Sequence, residues 1–339
     1  MVWEKVKIQI ENGNFVEAQA PIIISASRST DIPAFYADWF FSRLEKGYSA
    51  WTNPFNGVAS YVSYQNTRLI VFWSKNPKPL LKYLPILKNK NINCYIQFTM
   101  NDYEEEQLEK GVPSLTERIE TFKKLVAELG VGRVIWRFDP LILTDKITVQ
   151  DLLRKVENIG NQLLGYTEKL VFSFADIASY KKVKSNLTNN GITYQEFDDA
   201  SMVEFVEGLI KLNNKWGYVL ATCSEKIDLD KYNIIHNKCV DDELMAKFFN
   251  TDKVLMNFLG IEVSTPNLFN QESQIIFKKN NKDKGQRACC GCINSKDIGQ
   301  YNTCPHLCEY CYANASKETA LRNWEKHKDN PYAETITGL

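Results

Sequence analysis

Histidine is scarce: the 339 residues hold three, His236, His306 and His327. A hydrolase built on imidazole chemistry needs one of them beside a nucleophile or a metal. His236 and His306 neighbour cysteines, so either could bind a metal or donate to one of its ligands, although sequence neighbourhood alone does not decide it; His327 is expected at the surface. An excess of charge is missing too. With 41 basic and 41 acidic residues, no whole-molecule field draws nucleic acid or anionic lipid, and no basic aromatic tract indicates nucleic acid. No run approaches the ~20 apolar residues of a membrane span. Residues 1–11 lack the apolar core and cleavage site of a secretory signal, so a cytoplasmic protein without membrane contact is expected. No glycine-rich turn follows any apolar run, which removes the commonest dinucleotide-binding use of an α/β sheet.

What is present reads as a large globular α/β chain, 44% hydrophobic and 24% charged. Short apolar runs that turn polar at their ends recur at residues 21–27, 69–73, 93–99, 133–139, 170–176 and 218–223, with a weaker candidate at 48–51. Helical patterns lie between them. The clearest opens on Ser114 and Glu117, the ends of a capping box, and continues through Leu115, Ile119, Phe122, Val126 and Leu129 to Gly130. Another spans about 201–212; shorter ones are expected after Pro33, after Pro77, near Val149 and at 317–326. Strands alternating with helices imply a parallel sheet. The spacing suits a TIM-barrel-like (β/α) barrel, complete or partial, with the polar strand ends lining its mouth. The expected division is a barrel over 1–250, a connecting segment over 251–286 whose polar part from 271 is an exposed loop, and a Cys-rich cluster-binding segment with a tail over 287–339.

Cysteine is unevenly spread. Six of nine fall between Cys289 and Cys311, and in a reducing cytosol such clusters bind metal or do redox chemistry more often than they form disulfides. Cys304, Cys308 and Cys311 are spaced by three and then two residues. Three thiolates on one tight loop can hold three irons of a 4Fe–4S cubane and leave the fourth iron open to a substrate or cofactor. Zinc would want four ligands. Cys223 and Cys239 with two of Cys289, Cys290 and Cys292 offer four thiolates, enough to close a second 4Fe–4S cluster or a structural zinc site. Cys94, in the middle of a strand, is a small buried hydrophobe.

The three-cysteine spacing with Tyr310 before its last cysteine resembles the signature of the radical S-adenosylmethionine superfamily, and Cys308-Glu-Tyr-Cys311-Tyr-Ala is similar to its spore photoproduct lyase branch. Nearly the whole chain resembles the family called domain of unknown function 1848. The carriers are Ser25-Ala-Ser-Arg-Ser-Thr-Asp-Ile-Pro-Ala-Phe-Tyr36, Trp73-Ser-Lys-Asn-Pro77, Arg137-Phe-Asp-Pro140 and Asp297-Ile-Gly-Gln-Tyr-Asn-Thr-Cys304. The superfamily normally carries its motif after the first barrel strand. Here the motif lies near the C-terminus, which implies either a permuted barrel or a C-terminal loop folded back over the mouth.

The resemblance implies that the open iron binds S-adenosylmethionine and that one electron cleaves it to methionine and a 5′-deoxyadenosyl radical. Tyr310 would then pack near the adenine, with simple packing beneath the loop as the alternative. The family's pattern favours Cys290 and Cys292 as ligands and leaves Cys289 spare. Ser27 and Asp31 join Tyr310 as candidate cofactor contacts. Arg137, Asp139 and Asp176 are candidate catalytic or substrate residues, since Arg137 could grip a carboxylate or phosphate in a bidentate pair; a salt bridge between strands explains them equally well. Expected partners are a small-molecule, peptide or nucleobase-containing substrate and a reductant such as flavodoxin or ferredoxin. The competing class is a non-enzymatic iron–sulfur or zinc metalloprotein for binding or electron transfer.

Overall fold

The computed structural model describes residues 3–53, 56–263 and 275–338. Eight parallel strands form its main sheet: β1 (Ile23–Ala26), β2 (Leu69–Ser74), β3 (Asn93–Thr99), β4 (Val134–Leu141), β5 (Lys169–Phe174), β6 (Val219–Thr222), β7 (Ile235–His236) and β8 (Lys296–Asp297). Their order is β7-β6-β5-β4-β3-β2-β1-β8, with every neighbouring pair parallel. Each new strand thus joins beside the last, and the chain returns to lay β8 next to β1.

The sheet is curled. In a flat sheet β3 and β7 would stand about 19 Å apart, four strand spacings. Instead, the Tyr95 hydroxyl and the Gln97 side-chain amide, both on β3, donate to the carbonyl of Cys239 just beyond β7, at 2.8 and 3.0 Å. Among the described residues no ladder joins β7 to β8. The Ile293 amide spans that seam to the Val240 carbonyl at 3.1 Å, and the Cys239 amide donates to the Cys292 sulfur at 3.2 Å. The architecture is mixed α/β, barrel-like with an open seam.

Side-chain alternation along the strands divides the core in two. Ile23, Leu69, Val71, Tyr95, Ile135, Val171 and Ala221 point inward and form one cluster. Ile24, Ile70, Phe72, Ile96, Phe98, Trp136, Phe138, Leu170 and Phe172 point outward into another, shared with α1 (Ala37–Lys46), α2 (Leu115–Leu129), α3 (Val149–Gln162), α4 (Lys181–Asn189) and α5 (Asp199–Trp216). Burial on both faces explains why the strands read as apolar runs rather than alternating ones. Helices α6 (Asp242–Phe249) and α7 (Lys253–Leu259) pack Met245, Phe249, Leu255 and Leu259 on the inner cluster. Asp252, which caps α7, binds Arg68 and Asn93 where β2 and β3 begin, each at 2.9 Å, so these helices seal the end opposite the polar strand ends.

Local signals account for most helix boundaries. The Ser114 side chain caps α2 and Gly130 ends it. Helix α3 is not short, as expected, but 14 residues long; Thr148 and Asp151 form a reciprocal cap, and Leu152, Val156 and Ile159 keep one face buried. Helix α5 runs to Trp216 because its buried stripe continues to the left-handed Gly217. The strand expected near 48–51 is Tyr48–Thr52. It belongs not to the barrel-like sheet but to a four-stranded sheet with Lys5–Gln9, Phe15–Gln19 and Ala59–Ser63. In the expected connecting segment, Ile261–Val263 and Ile275–Phe277 pair antiparallel; residues 264–274, which include the start of the expected exposed loop, lie outside the described residues. Strand β8 shows that the Cys-rich segment also contributes to the main sheet. No helix of the described residues is long and apolar enough to cross a membrane.

Candidate metal centre

The loop carrying Cys304, Cys308 and Cys311 is pinned at the C-terminal ends of β1 to β3. Asp31, 6% exposed, uses both carboxylate oxygens for this. Oδ1 accepts from the Ala34 amide at 3.0 Å and the Ser74 hydroxyl at 2.7 Å; Oδ2 accepts from the Lys75 amide at 2.7 Å and bonds His306 Nε2 at 2.8 Å. The other ring nitrogen of His306 bonds the Gly111 carbonyl at 2.9 Å, and the Gly111 amide returns to the His306 carbonyl at 3.0 Å. A Cβ on Gly111 would lie 2.7 Å from that same carbonyl oxygen, so only glycine allows this approach. Further ties run from the Glu309 amide to the Leu108 carbonyl at 2.9 Å and from the Tyr36 hydroxyl to the Thr303 carbonyl.

On top of burial, the charge of Cys311 raises both Cys304 and Cys308, and that of Cys304 raises Cys308. Burial pushes Cys304 up to about 12, with Cys311 and Asp31 adding to the shift. Burial likewise raises Cys308, which Lys75 opposes and Glu109, Cys311 and Cys304 reinforce. Cys311 is raised by burial against amide hydrogen bonds from Ala313 and Asn314, and Cys304 accepts from the amides of His306 and Asp31. Amides aimed at buried sulfur favour the thiolate, the form that binds metal.

Cys223, Cys239, Cys290 and Cys292 also come together, at the seam. The sulfurs of Cys223 and Cys239 are 3.6 Å apart. Cys239 sulfur accepts from Arg137 Nη1 at 3.1 Å and from the Asn237 side-chain amide at 3.3 Å, while Cys292 links Cys239 to Cys290. Thiolate character collects on Cys239, whose pKa is driven far down by hydrogen bonds from Cys223 and Cys292 and, against burial, by the Arg137 and Arg28 charges. Cys223 is raised correspondingly. Cys289, the expected spare, is half-buried, and Cys94 is buried and pushed up to about 12 by that burial.

Among the described residues no group of three or more His, Cys, Asp or Glu side chains is arranged to hold a single metal ion. The donor chemistry nevertheless suits iron–sulfur ligation, which takes thiolates on separate irons; the 3.6 Å between the Cys223 and Cys239 sulfurs is the closer spacing of ligands that share one ion, as in a zinc site. Each set here offers buried and half-buried thiols, amide or guanidinium donors to sulfur, and a nearby cation.

The other expected residues divide. Arg137 turns its guanidinium to Cys239, Gln97 (3.1 Å) and Asp139, with which it makes a close ion pair; the expected bridge between strands is instead one along β4. Asp139 also accepts from the Ser173 hydroxyl and donates its amide to Asn101 at 2.8 Å. Asp176 stands exposed at the rim, capping the Ser179 amide at 3.2 Å. Ser27 is buried against Ser29 and bonds its amide at 3.0 Å. Tyr310 lies beneath the loop with its hydroxyl on Glu109, on Lys75 Nζ at 2.9 Å and on Asn101 at 3.0 Å. His236 lies on an exposed strand. His327 is not at the surface: it is 4% exposed, stacked on Trp324 and bonded to the Ile336 carbonyl at 2.9 Å, because the chain after α8 (Lys317–Asp329) folds back over it.

Sequence reasoning placed Lys75 only among the polar strand ends, with no role, and missed Glu109, Arg118 and Glu225. Glu225 accepts from the Phe174 amide at 3.0 Å and is raised to about 7 by burial and then by the charges of Asp139 and Asp176. Its position two residues beyond Cys223, at a strand end, was the available signal. Arg28 stands between the cysteine sets: its guanidinium feels Cys292, Cys239 and Cys290, while its carbonyl accepts from the Tyr312 hydroxyl at 3.0 Å.

No curated protein matches the chain. The model of one family, domain of unknown function (DUF1848), matches residues 23–313, from β1 through Cys311, and so spans the main sheet and both cysteine sets. On that match the chain belongs to the DUF1848 family.

Proposed function

We propose that this protein is a radical S-adenosylmethionine enzyme on a TIM-barrel-like scaffold, with a 4Fe–4S cluster held by Cys304, Cys308 and Cys311 and a second held by Cys223, Cys239, Cys290 and Cys292. The observation that carries the reading is the pinned three-thiol loop: Cys308 buried and Cys304 and Cys311 half-buried beside it, with no fourth thiol of the described residues among them, fixed through His306 and Asp31 above the strand ends. When bound, the first cluster would supply the electron that cleaves S-adenosylmethionine to methionine and a 5′-deoxyadenosyl radical. The chain's own residues do the rest. Asp31 and His306 hold the loop, and the Lys75 ammonium offsets negative charge at Cys308. Arg137 and Arg28 do the same at the second set, which full ligation would suit to structural or electron-transfer work. Asp139, Ser173 and Glu225 gather at neighbouring strand ends, where a small-molecule, peptide or nucleobase-containing substrate would lie. A reducing cytoplasm is the compartment such thiol sets require.

Anaerobic reconstitution followed by reduction tests this reading. The expected outcome is release of 5′-deoxyadenosine and methionine from S-adenosylmethionine. Stoichiometric zinc with no cleavage would support the non-enzymatic metalloprotein instead.

A further inference from the structure

Helix α4 carries Lys181, Lys182 and Lys184 in its first four positions and no acidic residue in its first turn. All three lysines are exposed. Cations at a helix N-terminus oppose the macrodipole, so helix stability does not account for them. Both ends of α4 touch the cysteine loop. The Tyr180 ring lies 5.9 Å from that of Tyr312, and the Asn190 side-chain amide donates to Glu309 at 2.8 Å. Tyr312, 46% exposed, is bonded covalently to Cys311, and Arg287 stacks over Tyr180 at 5.7 Å. Acidic neighbours exist but are engaged: Glu309 is buried and paired with Lys317 at 2.6 Å, Glu196 accepts the Ile177 and Ala178 amides, and Asp176 accepts that of Ser179.

From this arrangement we propose that the lysine face of α4, with Tyr180, Tyr312 and Arg287, is the docking surface for an acidic one-electron donor protein of the flavodoxin type. The inference rests on the cluster reading of Cys304, Cys308 and Cys311. A basic rim around an exposed aromatic centre suits a small, transient redox encounter in which charge governs the association rate. One electron passes from the donor's reduced flavin to the cluster; the donor is oxidised by one electron and the cluster is reduced by one.

Stopped-flow reduction of the reconstituted protein by flavodoxin hydroquinone tests the surface, with dithionite titrated to an end point as control. In the triple variant Lys181→Glu, Lys182→Glu, Lys184→Glu the rate should fall at least about tenfold at low salt, with the dithionite end point unchanged. The unmodified protein's rate should drop as ionic strength rises from about 0.05 to about 0.5 M, an arm that does not depend on how the variant folds. A triple variant reduced at the full rate, or a rate indifferent to salt, overturns the docking surface. Failure of dithionite to reduce any cluster in either protein overturns the cluster reading, and this inference with it.

Discussion

Cys308→Ala, reconstituted anaerobically, is expected to hold about four irons per chain instead of about eight and to release no 5′-deoxyadenosine above background. Cys308 is the most deeply buried of its set, 7% exposed, and two residues would remain where three irons need sulfur ligands. The second set lies at the sheet seam and shares no ligand with it, so its iron should persist. Cys223→Ala should act in the opposite sense, removing the second portion of iron while leaving the first. Quantified iron and sulfide together with product release check both variants. Retention of full iron and cleavage by Cys308→Ala would remove the three-thiol loop from the mechanism.

Glu109→Gln is expected to cost about 3–5 kcal/mol of stability, because breaking a buried ion pair leaves uncompensated charge behind. Glu109 is 7% exposed and pairs with Lys75 at 2.7 Å and Arg118 at 3.7 Å. Burial alone would raise its carboxyl. The Lys75 and Arg118 charges, with hydrogen bonds from Lys75 and Tyr310, outweigh this and hold it at about 2 against an ordinary 4.5. A carboxyl depressed on folding stabilises the protein above the unfolded pKa, and that contribution disappears as pH falls through the folded one. The shift corresponds to about 3 kcal/mol, present at neutral pH and lost progressively below about pH 4.5. Urea midpoints of the metal-free chain under reducing conditions should therefore separate widely at pH 7, and the gap should narrow as pH falls toward 3. A difference below about 1 kcal/mol at neutral pH would mean that the cluster under Tyr310 is solvated and does not brace the loop.

The long strands were legible because burial on both faces leaves an uninterrupted apolar run, as in Leu69–Ser74 and Asn93–Thr99. Strands β7 and β8 were not. Two residues carry no periodicity, and their pairing is set by where the cysteine segments meet at the seam. The three-cysteine loop could be grouped from spacing, the second set needed the family resemblance to prefer Cys290 and Cys292 over Cys289, and Cys94 stood apart because it lies inside a strand. Lys75 was legible only as a polar strand end, and Glu109 and Arg118 gave no sign, since a charged residue reads as exposed unless its partner is known, and these partners come from three separate segments. His306 and His327 show the same limit. Each is buried by a contact distant in sequence, Asp31 for one and the returning tail at Ile336 for the other.

The central claim is tested most directly by X-ray absorption at the iron and zinc edges of the anaerobically purified chain. An iron signal with a sulfur shell and short iron–iron scattering is the expected result. Zinc at stoichiometric level in a closed shell of sulfur, with no iron–iron scattering, would contradict it.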